Sequence, residues 1–229
     1  MIQFRHLSHK ELLKTHKETL ESPTMRYDMF SRFMFWSMDA FYGKKRYLDK
    51  FKILELLARI PYHEWEYGAY RLMTDRFWEL KTVEDMIELM MDARRQQDNE
   101  MYHLLILEEY IRKKKIHTGY LKYNLLPRIV VRLYRGFCWM LYSVSPRSSY
   151  KLNVFFEDHA EHEYARFVAE NPQLEKEPFA SAFAKEYGNH KTMADLFRQI
   201  SYDERLHKLD SIALYKHSTR RPRKRPHED

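Results

Sequence analysis

Cysteine is nearly absent, with Cys138 the single thiol in 229 residues. One thiol excludes an internal disulfide framework and a thiolate-rich zinc site, and it fits a reducing compartment. Any metal must therefore be held by histidine and carboxylate. Long uncharged apolar runs are absent too. The best candidate, Leu121 to Val144, carries Lys122, Arg128, Arg132 and Arg135, so no transmembrane helix is expected. The first twenty-one residues contain Glu11, Glu18 and Glu21 and lack an apolar h-region, which argues against a signal or transit peptide in this form of the chain. Glycine (5) and proline (8) are scarce and fall mostly where helical patterns break, so the chain reads as nearly all helix. No internal repeat is visible.

The composition supports a folded single domain, because 44% hydrophobic and 15% aromatic residues suffice for one sizeable core. Forty Lys+Arg against 33 Asp+Glu leave +7, a surplus that suits an anionic partner, either nucleic acid or an acidic lipid surface. The charge alone does not choose between them.

Along the chain, residues 1–24 read as an N-terminal arm, 25–217 as the folded domain and 218–229 as a basic disordered tail with Arg220, Arg221, Arg223, Lys224 and Arg225. Met25 to Arg46 is apolar over more than half a helix surface and ends in Lys44-Lys45-Arg46, as in a deep core helix or one lying in a membrane interface. Bundle helices are expected from Tyr47 to Met73, with Pro61 as a kink, and from Thr82 to Lys115, with Glu84 and Asp85 forming an acidic start. A fourth helix covers Tyr120 to Val144, Ser145-Pro146 breaks it, a fifth runs to Glu170, and a last one runs from about Thr192 to His217.

Glu-x-x-His occurs twice, at Glu100/His103 and Glu204/His207, both inside expected helices. Three residues are about one turn, so each carboxylate and imidazole project from one face and can share a metal ion. With 12 histidines, chance pairs on a surface are the plain alternative. Two further carboxylates change the balance. Glu55 lies in Ile53-Leu54-Glu55-Leu56-Leu57 and Glu157 follows Val154-Phe155-Phe156, on apolar stripes where an unpaired charge is costly, unless both reach out to a bundle edge. The order Glu, Glu-x-x-His, Glu, Glu-x-x-His, with enough chain between them for a helix and its return, is the layout of carboxylate-bridged di-iron four-helix bundles. Hard oxygen and imidazole donors suit iron or manganese better than a closed structural zinc site.

These residues also carry a family resemblance. Leu54-Glu55-Leu56-Leu57-Ala58-Arg59-Ile60-Pro61 resembles the alternative oxidase segment L-E-T-V-A-x-V-P, and Asn99-Glu100-Met101-Tyr102-His103-Leu104 resembles N-E-R-M-H-L. Phe156-Glu157-Asp158-His159-Ala160 with Tyr164 is similar to L-E-E-E-A and its following tyrosine, and Asp203-Glu204-Arg205-Leu206-His207 to D-E-A-H-H. Asp39-Ala40-Phe41-Tyr42-Gly43-Lys44-Lys45-Arg46-Tyr47 is similar to D-L-F-x-x-R-R-Y, and Ser145-Pro146 falls where the family has S-P. The resemblance runs from about Asp39 to His217, with four motifs in order.

A member of the alternative oxidase and plastid terminal oxidase family is implied to be all-α, a ferritin-like four-helix bundle with a di-iron centre plus amphipathic membrane-surface helices. The implied activity is cyanide-insensitive, non-electrogenic reduction of O₂ to water by ubiquinol or plastoquinol, on one leaflet of a mitochondrial inner, thylakoid or bacterial inner membrane, often as a dimer. Glu55, Glu100, His103, Glu157, Glu204 and His207 are then the ligands of two iron ions and Tyr164 the tyrosine near the metals. Asn99 and Asp203 orient the ligating histidines, and Asp39, Lys50, Leu54 and His159 belong to the quinol site. Protons are given exits through Tyr164, Asp158 or His159.

The departures alter the quinol pocket and leave the six metal-ligand positions intact. Phe35 stands where the family has an arginine, His159 replaces the third glutamate of L-E-E-E-A, and Met101 replaces the arginine of N-E-R-M-H; the thiol-bearing regulatory segment of plant members has no counterpart. The altered pocket leaves room for a di-iron hydroxylase of a quinone or lipid, and a non-catalytic subunit of a membrane complex is a third reading. Nucleic acid binding by the Arg220–Arg225 tail is the least favoured, since such a tail equally suits lipid headgroups.

Overall fold

The computed structural model describes residues 6–116 and 119–220. Ser8 opens α1 (His9–Glu21) with a capping box: its side chain accepts from the Glu11 N–H while the Glu11 carboxylate accepts from the Ser8 N–H. Asp28 caps α2 (Met29–Tyr42) by accepting from the Ser31 N–H at 2.9 Å, and Gly43 ends it at φ 91°, a conformation that costs a glycine little. The long helices α3 (Leu48–Asp75) and α4 (Leu80–Lys113) form a hairpin. Pro61 lies inside α3, where its missing N–H leaves the Leu57 carbonyl without a helical donor. A π-helical turn (Leu121–Leu125) leads into α5 (Leu126–Val144), and α6 (Pro146–Glu170), a 3₁₀ turn (Pro172–Lys176), α7 (Ala184–Tyr187) and α8 (Met193–Arg220) complete the described chain.

The expected boundaries shift by a few residues at most helix ends, and three of the shifts are instructive. The helix that was to begin at Thr82 begins at Leu80, and the Thr82 hydroxyl donates to Glu79 instead of starting an acidic first turn. The single helix expected from Tyr120 is divided: Pro127 has no N–H to give the Tyr123 carbonyl, and the chain takes the wider turn, in which the Leu126 N–H reaches the Leu121 carbonyl. The last helix continues to Arg220, three residues into the stretch assigned to the tail; Arg221, Arg223, Lys224 and Arg225 lie outside the described residues.

The architecture is the expected all-α four-helix bundle. α3 packs on α4 and α6 on α8, and α3 meets α6 across the middle. α1 lies on α6 and α8, and α2 and α5 cover the outside of α6 and α3. Apolar residues from these helices form one large core, while Tyr62, Trp65, Ala93 and Tyr150 form a second, smaller cluster. The helices α2 and α5 meet through Phe30 stacked on Phe137 at 4.9 Å and turn a row of large apolar residues outward, including Phe33, Trp36, Leu133 and Val144, with Met29 87% exposed. No described helix is long and apolar enough to cross a membrane. Arg46, grouped by sequence with Lys44 and Lys45, turns away from that face to pair with Glu163 (2.9 Å) and Glu170 (2.6 Å).

Candidate metal centre

Each of α3, α4, α6 and α8 brings a carboxylate to the bundle axis, and α4 and α8 add a histidine one turn later. Glu55, Glu100, His103, Glu157, Glu204 and His207 are at most 5% exposed. Their ligand atoms form two overlapping quartets, Glu55/Glu100/His103/Glu204 and Glu100/Glu157/Glu204/His207, with the atoms of each quartet within 4.8 Å of one another. Glu100 and Glu204 belong to both. A carboxylate has two oxygens, so Glu100 and Glu204 could each reach two cations, while Glu55 and Glu157 could each reach one.

Burying four carboxylates without cations is expensive, and the hydrogen bonding shows the deficit. Glu55 Oε2, both oxygens of Glu100, Glu157 Oε2, Glu204 Oε2, His103 Nδ1 and His207 Nδ1 are buried without a hydrogen-bond partner. The imidazoles sit among the carboxylates: His207 Nδ1 is 2.7 Å from Glu100, and His103 Nδ1 is 3.4 Å from both Glu55 and Glu204. Burial pushes the Glu55 and Glu157 carboxyls up, with Glu100 adding to the first and Glu204 to the second. At Glu100 the same burial is outweighed by His103 and His207, which hold it below the usual carboxylate range. Burial opposes charge on His207, yet Glu100 and Glu204 raise it to about 10. The pocket thus holds protons where cations would neutralise it, and four carboxylates with two imidazoles fit two divalent ions of the iron or manganese kind.

The surrounding groups fix His103. Asp203 Oδ2 lies 3.2 Å from His103 Nε2, which leaves Nδ1 directed at the carboxylates. Asp203 is itself held by the Tyr187 hydroxyl (2.8 Å) and the Gln199 amide (2.8 Å), and Asn99 reaches it at 3.4 Å. Asn99 therefore meets Asp203, and through it only His103.

Two tyrosines cross the bundle. The Tyr164 hydroxyl on α6 donates to Glu55 on α3, and the Tyr62 hydroxyl on α3 donates to Glu157 on α6 at 2.6 Å. Asn153 donates to both Tyr62 and Glu157. Burial, reinforced by the carboxylates, keeps both phenols protonated. Tyr62 and Tyr187 were not singled out by sequence. Tyr62 had a visible signal, since it follows Glu55 by the same seven residues that separate Tyr164 from Glu157.

The remaining expected site residues gather beside Tyr164. Lys50, Leu54 and His159 line a small cavity with Met38, Arg46, Phe51 and Glu163, and Phe51 stacks on Tyr164 at 4.3 Å. Asp39 reaches it through Lys50, whose ammonium it accepts at 2.5 Å. Phe35 and His159, the two departures, are stacked on each other at 3.9 Å and 14°, and burial lowers His159 to about 4. The cavity is thus lined by a neutral imidazole and by two cations that already have partners. Asp158 does not join either region. It faces the connection between α1 and α2 and the helix α8, accepting from Lys208 (3.0 Å), the Tyr27 hydroxyl and the Met25 N–H.

With this geometry in place, comparison with known proteins gives two findings. The sequence pattern of the alternative oxidase family matches residues 7–214. Ubiquinol oxidase 4, chloroplastic/chromoplastic, of Arabidopsis thaliana is 26% identical over 199 residues, covering 79% of this chain and 53% of the relative. The chain therefore spans about half the length of that curated relative.

Proposed function

The chain belongs to the alternative oxidase family, and we propose that it is a membrane-associated di-iron quinol oxidase, reducing O₂ to water without pumping protons. The observation that carries this reading is the pair of quartets joined through Glu100 and Glu204. Glu55, Glu100, His103, Glu157, Glu204 and His207 would hold two iron ions there, and these would supply the one-electron couples that dioxygen reduction requires. Two quinols give the four electrons and four protons that convert one O₂ to two waters.

The chain's own residues bind and orient. The quinol head group docks at the small cavity of Lys50, Leu54 and His159, whose walls must part to admit it; the uncharged imidazole accepts a hydroxyl hydrogen bond and Lys50, steadied by Asp39, fixes the ring. Phe51 and Tyr164 separate that head group from Glu55, so electrons cross one stacked pair of rings. Tyr164 holds a proton at Glu55, and Asp203 keeps His103 in the ligating tautomer. The isoprenoid tail stays in lipid, for which the outward apolar residues of α2 and α5, with Arg128, Arg132 and Arg135 along α5, form a face suited to an anionic leaflet. The Phe35/His159 stack favours a second reading, hydroxylation of a quinone or other lipid by the same irons, because it changes the pocket and leaves the ligands alone.

The test is oxygen uptake by iron-loaded protein on anionic vesicles supplied with ubiquinol or plastoquinol, with product analysis. Cyanide-insensitive uptake of one O₂ per two quinols oxidised is expected. A hydroxylated quinone as product would replace this reading with the second, and absence of uptake by protein that binds quinone analogues would end it.

A further inference from the structure

Beyond Tyr62 the structure continues in a way that the quinol reaction does not use. Tyr62 meets Trp65 at 5.1 Å between ring centroids, Trp65 meets Tyr150 at 4.8 Å, and Tyr150 meets Tyr142 at 6.0 Å. Three helices contribute: α3 gives Tyr62 and Trp65, α6 gives Tyr150 and α5 gives Tyr142. Tyr62 and Trp65 are wholly buried, Tyr150 nearly so, and Tyr142 is half-buried beside the exposed Tyr67 and Trp139 in an open surface cleft. These rings form the second, smaller cluster of the molecule.

The positions are built. The Trp65 indole N–H donates to Ser149 at 2.9 Å, and Asn153 donates to the Tyr62 hydroxyl at 2.8 Å. Gly68 lets the Tyr142 ring lie against the α3 backbone, for a Cβ there would collide with it. Tyrosine and tryptophan are the side chains most readily oxidised by one electron, whereas phenylalanine is far harder to oxidise. Tyr164, the other phenol on the ligands, stacks on Phe51 and Phe197, rings that are far harder to oxidise than the indole and phenol behind Tyr62.

We propose that Tyr62, Trp65, Tyr150 and Tyr142 form an electron path by which the site, oxidised by a peroxide while quinol is lacking, is re-reduced from the protein surface. This rests on the reading of the site as a redox-active metal pair. Tyr142 gives up one electron and releases its proton to solvent at the cleft. The electron passes inward, each ring being oxidised by its inner neighbour and reduced by its outer one. Over two passages one peroxide and two surface phenols become two waters and two phenoxyl radicals, so atoms and electrons balance. The path moves oxidising equivalents from the buried ligands to a surface where external reductants can quench them.

The experiment adds hydrogen peroxide to the iron-loaded full chain without quinol, in the presence of a nitroso spin trap, and maps the adducts by mass spectrometry. Adducts are expected at Tyr142 or its cleft neighbours Tyr67 and Trp139, with loss of those adducts in both Trp65→Phe and Tyr150→Phe, while iron content and quinol-driven oxygen uptake are retained. Two substitutions are used so that a folding defect in one leaves the other to decide. Unchanged cleft adducts in either folded variant, or adducts confined to Tyr164 in the unsubstituted protein, overturn the path. Quinol-driven uptake without cleft adducts overturns the path alone. Cleft adducts in a protein without quinol-driven uptake support the path and overturn the proposed oxidase function.

Discussion

Tyr164 and Tyr62 occupy mirrored positions. Each follows a candidate ligand glutamate by seven residues, and each donates across the bundle to the other helix's glutamate. Their surroundings differ completely. Tyr164 stacks on Phe197 and on Phe51, which lines the small cavity of Lys50, Leu54 and His159, whereas Tyr62 is continued by oxidisable rings to a surface cleft. The same local chemistry, a protonated phenol on a buried carboxylate, is thus backed by two different surroundings. In the proposed function the first side would face the reductant, and in the proposed path the second would lead away from it.

The largest effect that would break the comparison is removal of a shared carboxylate, because both tyrosines depend on the same ligand set. Glu100→Ala is expected to reduce bound iron below one equivalent per chain and to bring oxygen uptake to background, read by metal analysis beside an oxygen electrode. Asp203→Asn acts through His103 and is expected to weaken metal binding by roughly 10–100-fold, measurable by competition with a chelator. Retention of full affinity would mean that the Asp203 contact does not orient the ligand.

Metal removal gives the next effect. His207 is raised from 6.5 to about 10, so in the metal-free protein its protonated form stabilises the fold. That contribution is fully present below about pH 6.5 and is lost as pH rises through about 10. The raised Glu55 and Glu157 act in the same direction, while the lowered Glu100 changes only in acid. Melting temperatures of the metal-free protein should therefore fall from pH 6.5 to 10, and those of the iron-loaded protein should fall less, because its imidazoles are already neutral ligands.

The smallest effects sharpen the contrast between the two tyrosine surroundings. Gly68→Ala forces the Tyr142 ring from its seat and is expected to cost about 1–3 kcal/mol by denaturant unfolding. Tyr142→Phe removes a hydroxyl at a half-buried position and should cost no more than about 1 kcal/mol while leaving quinol-driven uptake unchanged.

The four ligand-bearing helices could be read from the sequence because Glu-x-x-His is a local signal and because Glu55 and Glu157 interrupt apolar stripes. The bounds of α6 were equally plain, set by Ser145-Pro146 and Asn171-Pro172. Tertiary choices were not legible. The crossing of Tyr62 to Glu157 depends on how α3 meets α6, and nothing in the seven-residue spacing names the partner. Arg46 looked like part of an outward basic cluster because Lys44 and Lys45 precede it, but its partners Glu163 and Glu170 are more than a hundred residues away. The docking of α1 was hidden for another reason. It is held largely by polar contacts, such as Thr19 with Glu161 and Arg205 with Glu18 and the Thr15 carbonyl, and those leave no apolar pattern to read.

The proposed function requires Glu100 and Glu204 to be shared between two metal ions. Magnetic resonance of the oxidised, iron-loaded protein tests this most directly, alongside iron analysis of the same sample. Two irons per chain, spin-coupled through the shared carboxylates so that the ferric pair is silent in electron paramagnetic resonance, are predicted. One iron per chain, or two that give the signals of isolated high-spin ferric ions, would contradict it.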